Sequence, residues 1–331
     1  MIALNTSDPR VSYRMGTEPE LRFVETVCRP LLQGAQNRDG GWGFHPGSKS
    51  SIEATCWALQ ALVGLSWPEI PERAAEGFAF LRRTQLPDGS WPSVPGNAAG
   101  CWVTSLACWA LLSAKDSCKA VARGLQSLCA DWPGDSTPWR RFLLRFSSQR
   151  HVAPINISHR GWPWTSGTSS WVEPTAYALL ALGECPPSLL PGSAPKRRRL
   201  GEAMLYDRMC AGGGWNTGNP LVYGAAGEAF VVPTAFSLLA LRHCSERSEN
   251  VLSLHWLESN VPEIRGLGSL ALARLCLDAY GREWPKTAPD FPSLHQESEL
   301  MQNIQVLAWC SLALGGKQPF STAGAPVRKT P

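Results

Sequence analysis

Along the chain, stretches in which almost every residue is apolar alternate with stretches in which apolar residues return every third or fourth position. "ELRFVETVCRPLLQGAQ" from Glu20 and "ERAAEGFAFLRRTQ" from Glu72 are of the second kind, and that spacing predicts helices with one solvated face. "IEATCWALQAL" from Ile52, "WVTSLACWALL" from Trp102, "VEPTAYALLAL" from Val172 and "VVPTAFSLLAL" from Val231 are of the first kind. They predict helices buried around most of their circumference.

A polar, glycine-rich turn carrying a tryptophan precedes each buried helix: "QNRDGGWG" from Gln36, "QLPDGSW" from Gln85, "RGWPW" from Arg160 and "GGGWN" from Gly212. The first helical turn then carries a threonine, Thr55, Thr104, Thr175 or Thr234, at steps of 49, 71 and 59 residues. The unit is an outer helix followed by an inner helix, with insertions expected at Asp131 to Arg160 and Gly183 to Lys196. "NVLSLHWLESN" with "GLGSLALARLCLDAYG", and the last helix in "ESELMQNIQVLAWCSLALGG", extend the series to five or six hairpins. A hairpin cannot bury both faces of its inner helix alone, so the units stack or close into a ring. The expectation is an all-α fold, an α/α barrel (toroid) of about six hairpins whose inner helices surround a central apolar cavity. It would occupy residues 21–314, after an N-terminal extension over 1–20 and before a flexible tail over 315–331.

Composition narrows the function classes. The chain has 331 residues, 44% of them hydrophobic, and a net charge of +4. Its one dense basic run, Lys196 to Arg199, sits among Pro, Gly and Ser and reads as a solvated loop, so a nucleic-acid partner is not expected. No stretch approaches the ~18 uninterrupted apolar residues of a spanning helix, and the first residues lack an apolar signal core, which predicts a cytoplasmic location. The eleven cysteines form no Cys-x-x-Cys pair, and several lie inside apolar helices, so neither a metal site nor a disulfide framework is predicted. No cofactor is called for.

The turns "QNRDGGWG" and "QLPDGSW" resemble the QW repeats of the squalene–hopene cyclase and class II terpene cyclase superfamily, which shares its α/α barrel with the prenyltransferase β subunits. The turn has a physical basis: glutamine can bond open backbone groups at a helix end, Asp-Gly makes the tight turn, and Trp42 or Trp91 packs over the joint. The resemblance implies acid-initiated cyclisation of an isoprenoid. In that family the proton-donating aspartate stands two residues before the threonine of an inner helix. Here that position holds Glu173 and, in the first repeat, Glu53; the flanking aspartates are absent, with Trp171 and Pro174 in their place. The other two repeats carry Trp102 and Val232.

Two readings of Glu173 stay open. Preceding Pro174, it can be a carboxylate at a helix N-cap, stabilised there by roughly 0.3–1 kcal/mol. It can instead be an acid kept protonated by an apolar pocket. A carbocation would then need a dry, aromatic cavity. Four-residue steps along the inner helices place Trp57, Tyr177 and Phe236 on the face that carries Glu53, Glu173 and Val232, with Leu106 and Trp109 following Trp102. Trp171 joins this set. By the resemblance, His159 or His45 would polarise the acid; the alternative for each is a solvated loop histidine.

Rival activities lack their residues. A zinc prenyltransferase needs an Asp-x-Cys pair, and "DRMC" at Asp207 has the wrong spacing. A thioester domain needs a Gly-Cys-Gly-Glu-Gln element. A sugar hydrolase would want facing carboxyls, which Glu53 and Glu173 could supply, though in surroundings too apolar for a sugar groove. The competing reading from another class is a non-catalytic isoprenoid-binding or scaffold protein of the same fold. For an enzyme, the expected partner is a hydrophobic isoprenoid substrate, with peripheral membrane contact through loops such as "PPSLLPG"; oligomeric state is left open.

Overall fold

The computed structural model describes residues 15–65, 70–112, 114, 118–134, 139, 142, 155–298, 300–315 and 320. The expected tail thus lies outside the described residues apart from Gly315 and Phe320, as do the first fourteen residues of the expected extension; helix begins at Glu18.

Helices α1 (Glu18–Phe23) and α2 (Arg29–Gly34) are joined by a π turn over Val24–Cys28. Then follow α3 (Ile52–Leu65), α4 (Ile70–Thr84), α5 (Val103–Leu112), α6 (Cys118–Ala130), α7 (Val172–Glu184), α8 (Ala194–Asp207) and α9 (Val231–Ala240). The series ends with α10 (Ser248–Asn260), α11 (Leu267–Ala279), α12 (Phe291–Glu297) and α13 (Ile304–Gly315).

Helices α3, α5, α7, α9, α11 and α13 pack each against the next, and α13 packs back on α3. This is a closed ring of six inner helices. The outer helices α4, α6, α8, α10 and α12 lie on α3, α5, α7, α9 and α11, and the segment from the π turn through α2 covers α13. An outer helix returns the chain between successive inner ones, so all six inner helices run the same way, with their N-termini at one end, the mouth.

The sequence pattern explains the division. From Ile52 to Leu62 on α3 every residue except Glu53 is buried, whereas α4 buries Ala74, Gly77, Phe78 and Leu81 and exposes Glu72 and Glu76. Backbone bonds between neighbouring units tie the mouth together. Ile52 N–H donates to the carbonyl of Ser93 at 3.1 Å, Trp102 N–H to Trp164 at 3.3 Å, and Val172 N–H to Thr217 at 3.1 Å. Ile304 N–H closes the circle by donating to Phe44 at 2.8 Å. Helix-end donors that would otherwise be orphaned are thus satisfied by the next unit round the ring.

One expectation is corrected here. The basic run Lys196 to Arg199 is no solvated loop but part of α8, and Arg197 is fully buried. Its guanidinium lies over Trp162 at 3.9 Å and Trp132 at 4.2 Å and donates to the carbonyls of Asp131 and Gly161. Planar stacking with fixed donors is what arginine offers and lysine does not.

Candidate active site

The site is positioned by the turns, which repeat in atomic detail. In each of the four, the threonine hydroxyl accepts the backbone N–H of the tryptophan: Trp42 to Thr55 at 2.9 Å, Trp91 to Thr104 at 3.0 Å, Trp162 to Thr175 at 2.9 Å and Trp215 to Thr234 at 2.8 Å. Each buried indole donates Nε1–H to the carbonyl of a leucine on an outer helix, Leu32, Leu81, Leu128 or Leu205, at 2.6–2.8 Å. The first three indoles rest against a glycine of the following outer helix, Gly77, Gly124 or Gly201, where a Cβ would stand within 3 Å of the ring. In the first two turns the glutamine ties the turn to the outer helix after it: Gln36 Nε2 donates to Gly40 and Arg73, and Gln85 Nε2 to Gly89 and Ala120. The third turn has no glutamine, and Arg197 reaches back from α8 instead.

With the threonine fixed, the residue two before it is fixed too. Round the ring this register holds Glu53, Trp102, Glu173, Val232, Gly268 and Gln305, all half-buried at the mouth. Four residues further in stand Trp57, Leu106, Tyr177, Phe236, Leu272 and Trp309, all buried. The four aromatic members of this inner layer are in contact. Trp57 meets Trp309 edge-on with ring centroids 5.5 Å apart and Phe236 at 5.7 Å, and Tyr177 meets Phe236 at 4.7 Å. Since α3 and α9 face each other across the ring, the Trp57–Phe236 contact spans it. The interior is aromatic as expected, yet at this level the rings fill the centre rather than line a hollow.

Above this floor, Trp102 stacks on Tyr177 at 5.3 Å and meets Trp164 edge-on at 4.9 Å. Deeper in, Trp109 touches Trp57 at 5.4 Å and stacks on Phe320 at 5.2 Å. Trp171 is the N-cap of α7, its ring lies near Gly218, and among the described residues it makes no ring contact with this cluster.

Glu53 Oε1 accepts a hydrogen bond from Gln305 Nε2 at 2.9 Å. Burial pushes the Glu53 carboxyl up to about 7; the Gln305 bond opposes that rise and the charge of Glu173 adds to it. Burial likewise raises the Glu173 carboxyl. The Tyr177 phenol, raised first by its own burial, is raised further by both carboxyls. The N-cap position expected for Glu173 is corrected, while a carboxylate in this first turn still faces the positive end of the helix dipole. Glu173 is the second residue of α7, not its cap, Pro174 is the third, and no side chain caps this helix.

The histidines lie elsewhere. His45 is exposed in a turn where its backbone bonds Ser48, and His159 stands 3.8 Å from Asp207 at the end of α8. Neither is hydrogen-bonded to Glu53 or Glu173 among the described residues; the group bonded to Glu53 is the amide of Gln305. Gln305 and Trp309 are the residues missing from the sequence-based set. Their turn lacks the tryptophan and threonine, but Gln305 and Trp309 repeat the four-residue step of Glu53 and Trp57. Among the described residues no three His, Cys, Asp or Glu side chains converge as a metal site.

No family model matches the chain. It is 35% identical to human lanosterol synthase over 106 residues, 29% of this chain and 14% of that enzyme. It is 27% identical to drimenyl diphosphate synthase of Streptomyces showdoensis over 247 residues, 63% of this chain and 45% of the relative. The match thus spans less than half the length of either relative. Among solved structures, the type II terpene cyclase MstE from Scytonema, in a variant bound to its substrate geranylgeranyl dihydroxybenzoate, superposes with a TM-score of 0.55 at 12% identity over 90% of this chain and all of that one. An alpha-1,6-mannanase of Salegentibacter superposes with a TM-score of 0.57 at 9% identity over 89% of this chain and 98% of that one. The chain has a class II terpene cyclase-like fold, and the mannanase shows that this ring also carries other chemistry.

Proposed function

We propose that the protein is an isoprenoid cyclase of the class II type, acting on a terpene or meroterpenoid by protonating an alkene or epoxide at the mouth of the ring. The observation that carries this reading is the pair of partly buried carboxyls, Glu53 and Glu173, at one register directly above an aromatic floor. A carboxyl whose pKa lies near neutrality is protonated in a useful fraction of molecules yet acidic enough to give its proton up. The faces of Trp57, Trp102, Tyr177, Phe236 and Trp309 would stabilise the cation, by roughly 0.5–2 kcal/mol each when desolvated, and Trp109 would back them from below. Because the floor is closed, the reacting end of the substrate would lie between the carboxyls and the rings.

The relatives support the substrate class: MstE is bound to a geranylgeranyl compound, and drimenyl diphosphate synthase is matched over 247 residues. Residues 21–314 would form one catalytic domain. Among the described residues no helix is long and apolar enough to cross a membrane. Val94, Tyr223, Phe230, Leu300 and Met301 are exposed on loops leading into inner helices, a surface suited to peripheral membrane contact from the cytoplasm and to entry of a water-insoluble substrate. A second reading, a non-catalytic isoprenoid-binding protein, draws on the filled centre of the ring.

The test is mass-spectrometric product analysis after incubation with farnesyl and geranylgeranyl species, squalene and a prenylated aromatic compound. A cyclic product from wild type, lost in Glu53→Gln or Glu173→Gln, is expected. No turnover across the panel, with isoprenoid still bound, would favour the second reading.

A further inference from the structure

We propose that Glu53 is the proton donor of the pair and that Gln305 is its positioning residue, holding Oε1 so that the transferable proton sits on Oε2. The proposal rests on the cyclase reading above and assigns a role within it that the two carboxyls alone leave undecided.

The geometry is specific. An amide NH2 group only donates, so the oxygen it binds at 2.9 Å must act as acceptor, and in the acid form the proton is left to the other oxygen. Gln305 and Glu53 are both second residues of their helices, on α13 and α3, the pair that closes the ring. Glu173 stands at the same register on α7, and among the described residues no hydrogen-bond partner holds its carboxyl. No side chain among the described residues fixes its proton, and the dipole of its first helical turn is one that Glu53 shares.

Gln305 also acts on the energetics of transfer. A hydrogen bond to a charged oxygen is about twice as strong as one to a neutral oxygen, so the amide favours the carboxylate that forms as the proton leaves. That is stabilisation gained along the reaction rather than in the resting state. The surrounding groups make the effect readable. α13 presents Gln305, the segment leading into α5 presents Cys101, α7 presents Glu173 and Tyr177, and Cys56 lies on α3 itself. Burial raises both thiols and the phenol, so they stay neutral, and among the described residues the charge that acts on Glu53 is that of Glu173.

The step balances without a co-reactant. The Oε2–H bond of Glu53 breaks, a C–H bond forms at the terminal alkene carbon from its π pair, and a tertiary cation faces the rings while Glu53 becomes a carboxylate. The cyclised cation then loses a proton to solvent water, the Glu53 carboxylate takes one back from solvent, and the product is an isomer of the substrate.

The experiment is a pH–rate profile of the intact protein with whichever isoprenoid it turns over, for wild type, Gln305→Leu, Gln305→Asn, Glu173→Gln and Glu53→Gln. In wild type the rate falls as pH rises through the titration of Glu53. In Gln305→Leu the plateau rate drops roughly tenfold and the midpoint of this fall moves up by about one pH unit, because the group that favoured ionisation is gone. Gln305→Asn lies between wild type and Gln305→Leu. Glu173→Gln moves the midpoint down, because an opposing charge is removed, and Glu53→Gln has no activity. A merely structural Gln305 would lower the rate with no shift, and that result overturns the proposal, as does a downward shift, which would mean that the amide accepts the carboxyl proton. Glu173→Gln carries the sign test should Gln305→Leu fail to fold. Infrared titration of the carboxyl band lost in Glu53→Gln follows the same group without turnover. A band shifted in Gln305→Leu but no product from wild type would show the Glu53–Gln305 coupling while sinking the cyclase reading and the donor role with it.

Discussion

Two sets of residues at the mouth differ by only two positions in sequence. Thr55, Thr104, Thr175 and Thr234 each accept a tryptophan N–H, and each is at most 3% exposed. Glu53, Trp102, Glu173 and Val232 stand two residues earlier and share only their place. The threonine has one geometric task, to bind the turn to the helix, and all four Gly-Trp turns need it done. The earlier position has no such task, because the N–H groups of Ile52 and Val172, which open α3 and α7, and of Trp102, just before α5, already bond carbonyls of the neighbouring unit. Freed from capping, it can hold an acid, a ring or an aliphatic group. The scaffold thereby separates what must repeat from what can carry chemistry.

Substitutions can break or sharpen this contrast. The largest effect is expected at a turn: Trp162→Ala removes a buried indole, its bond to Leu128 and its contact with Arg197, and should cost about 3–5 kcal/mol in a denaturant titration. Glu53 comes next, and its effect depends on pH. Its folded-state pKa of about 7 lies above the ordinary 4.5, so its contribution is fully present below pH 4.5 and is lost as pH rises through 7. Wild type should lose about 3 kcal/mol over that window relative to Glu53→Gln, measured by unfolding both at pH 4.5 and pH 8. Thr175→Val keeps shape but leaves the Trp162 N–H without its acceptor, and should cost about 1–3 kcal/mol, read as a lower denaturation midpoint. His45→Ala, at an exposed loop position, should change stability by less than about 0.5 kcal/mol and leave the pH profile in place.

The ring was legible because its inner helices are apolar on all sides, and its turns repeat a visible Gly-Trp pattern. Glu53 and Glu173 were legible as a pair through their shared distance from Thr55 and Thr175. Gln305 was not, because its unit has lost both markers, and only the four-residue step to Trp309 betrays the register. Arg197 was misread because four basic residues in a row look solvated until two indoles are known to flank one of them. Pro174 suggested a helix starting two residues later than it does. Proline fits anywhere in the first turn, where its missing N–H has no intrahelical partner, so it marks a helix start only to within a residue or two.

The bond between Glu53 and Gln305 joins residues 252 positions apart. During synthesis the carboxyl emerges long before the amide, and until α13 docks against α3 the bond that orients it cannot form. The bond that orients this carboxyl therefore forms only with the closing of the ring, so that in the cyclase reading proposed above assembly of the fold and completion of the site are one event.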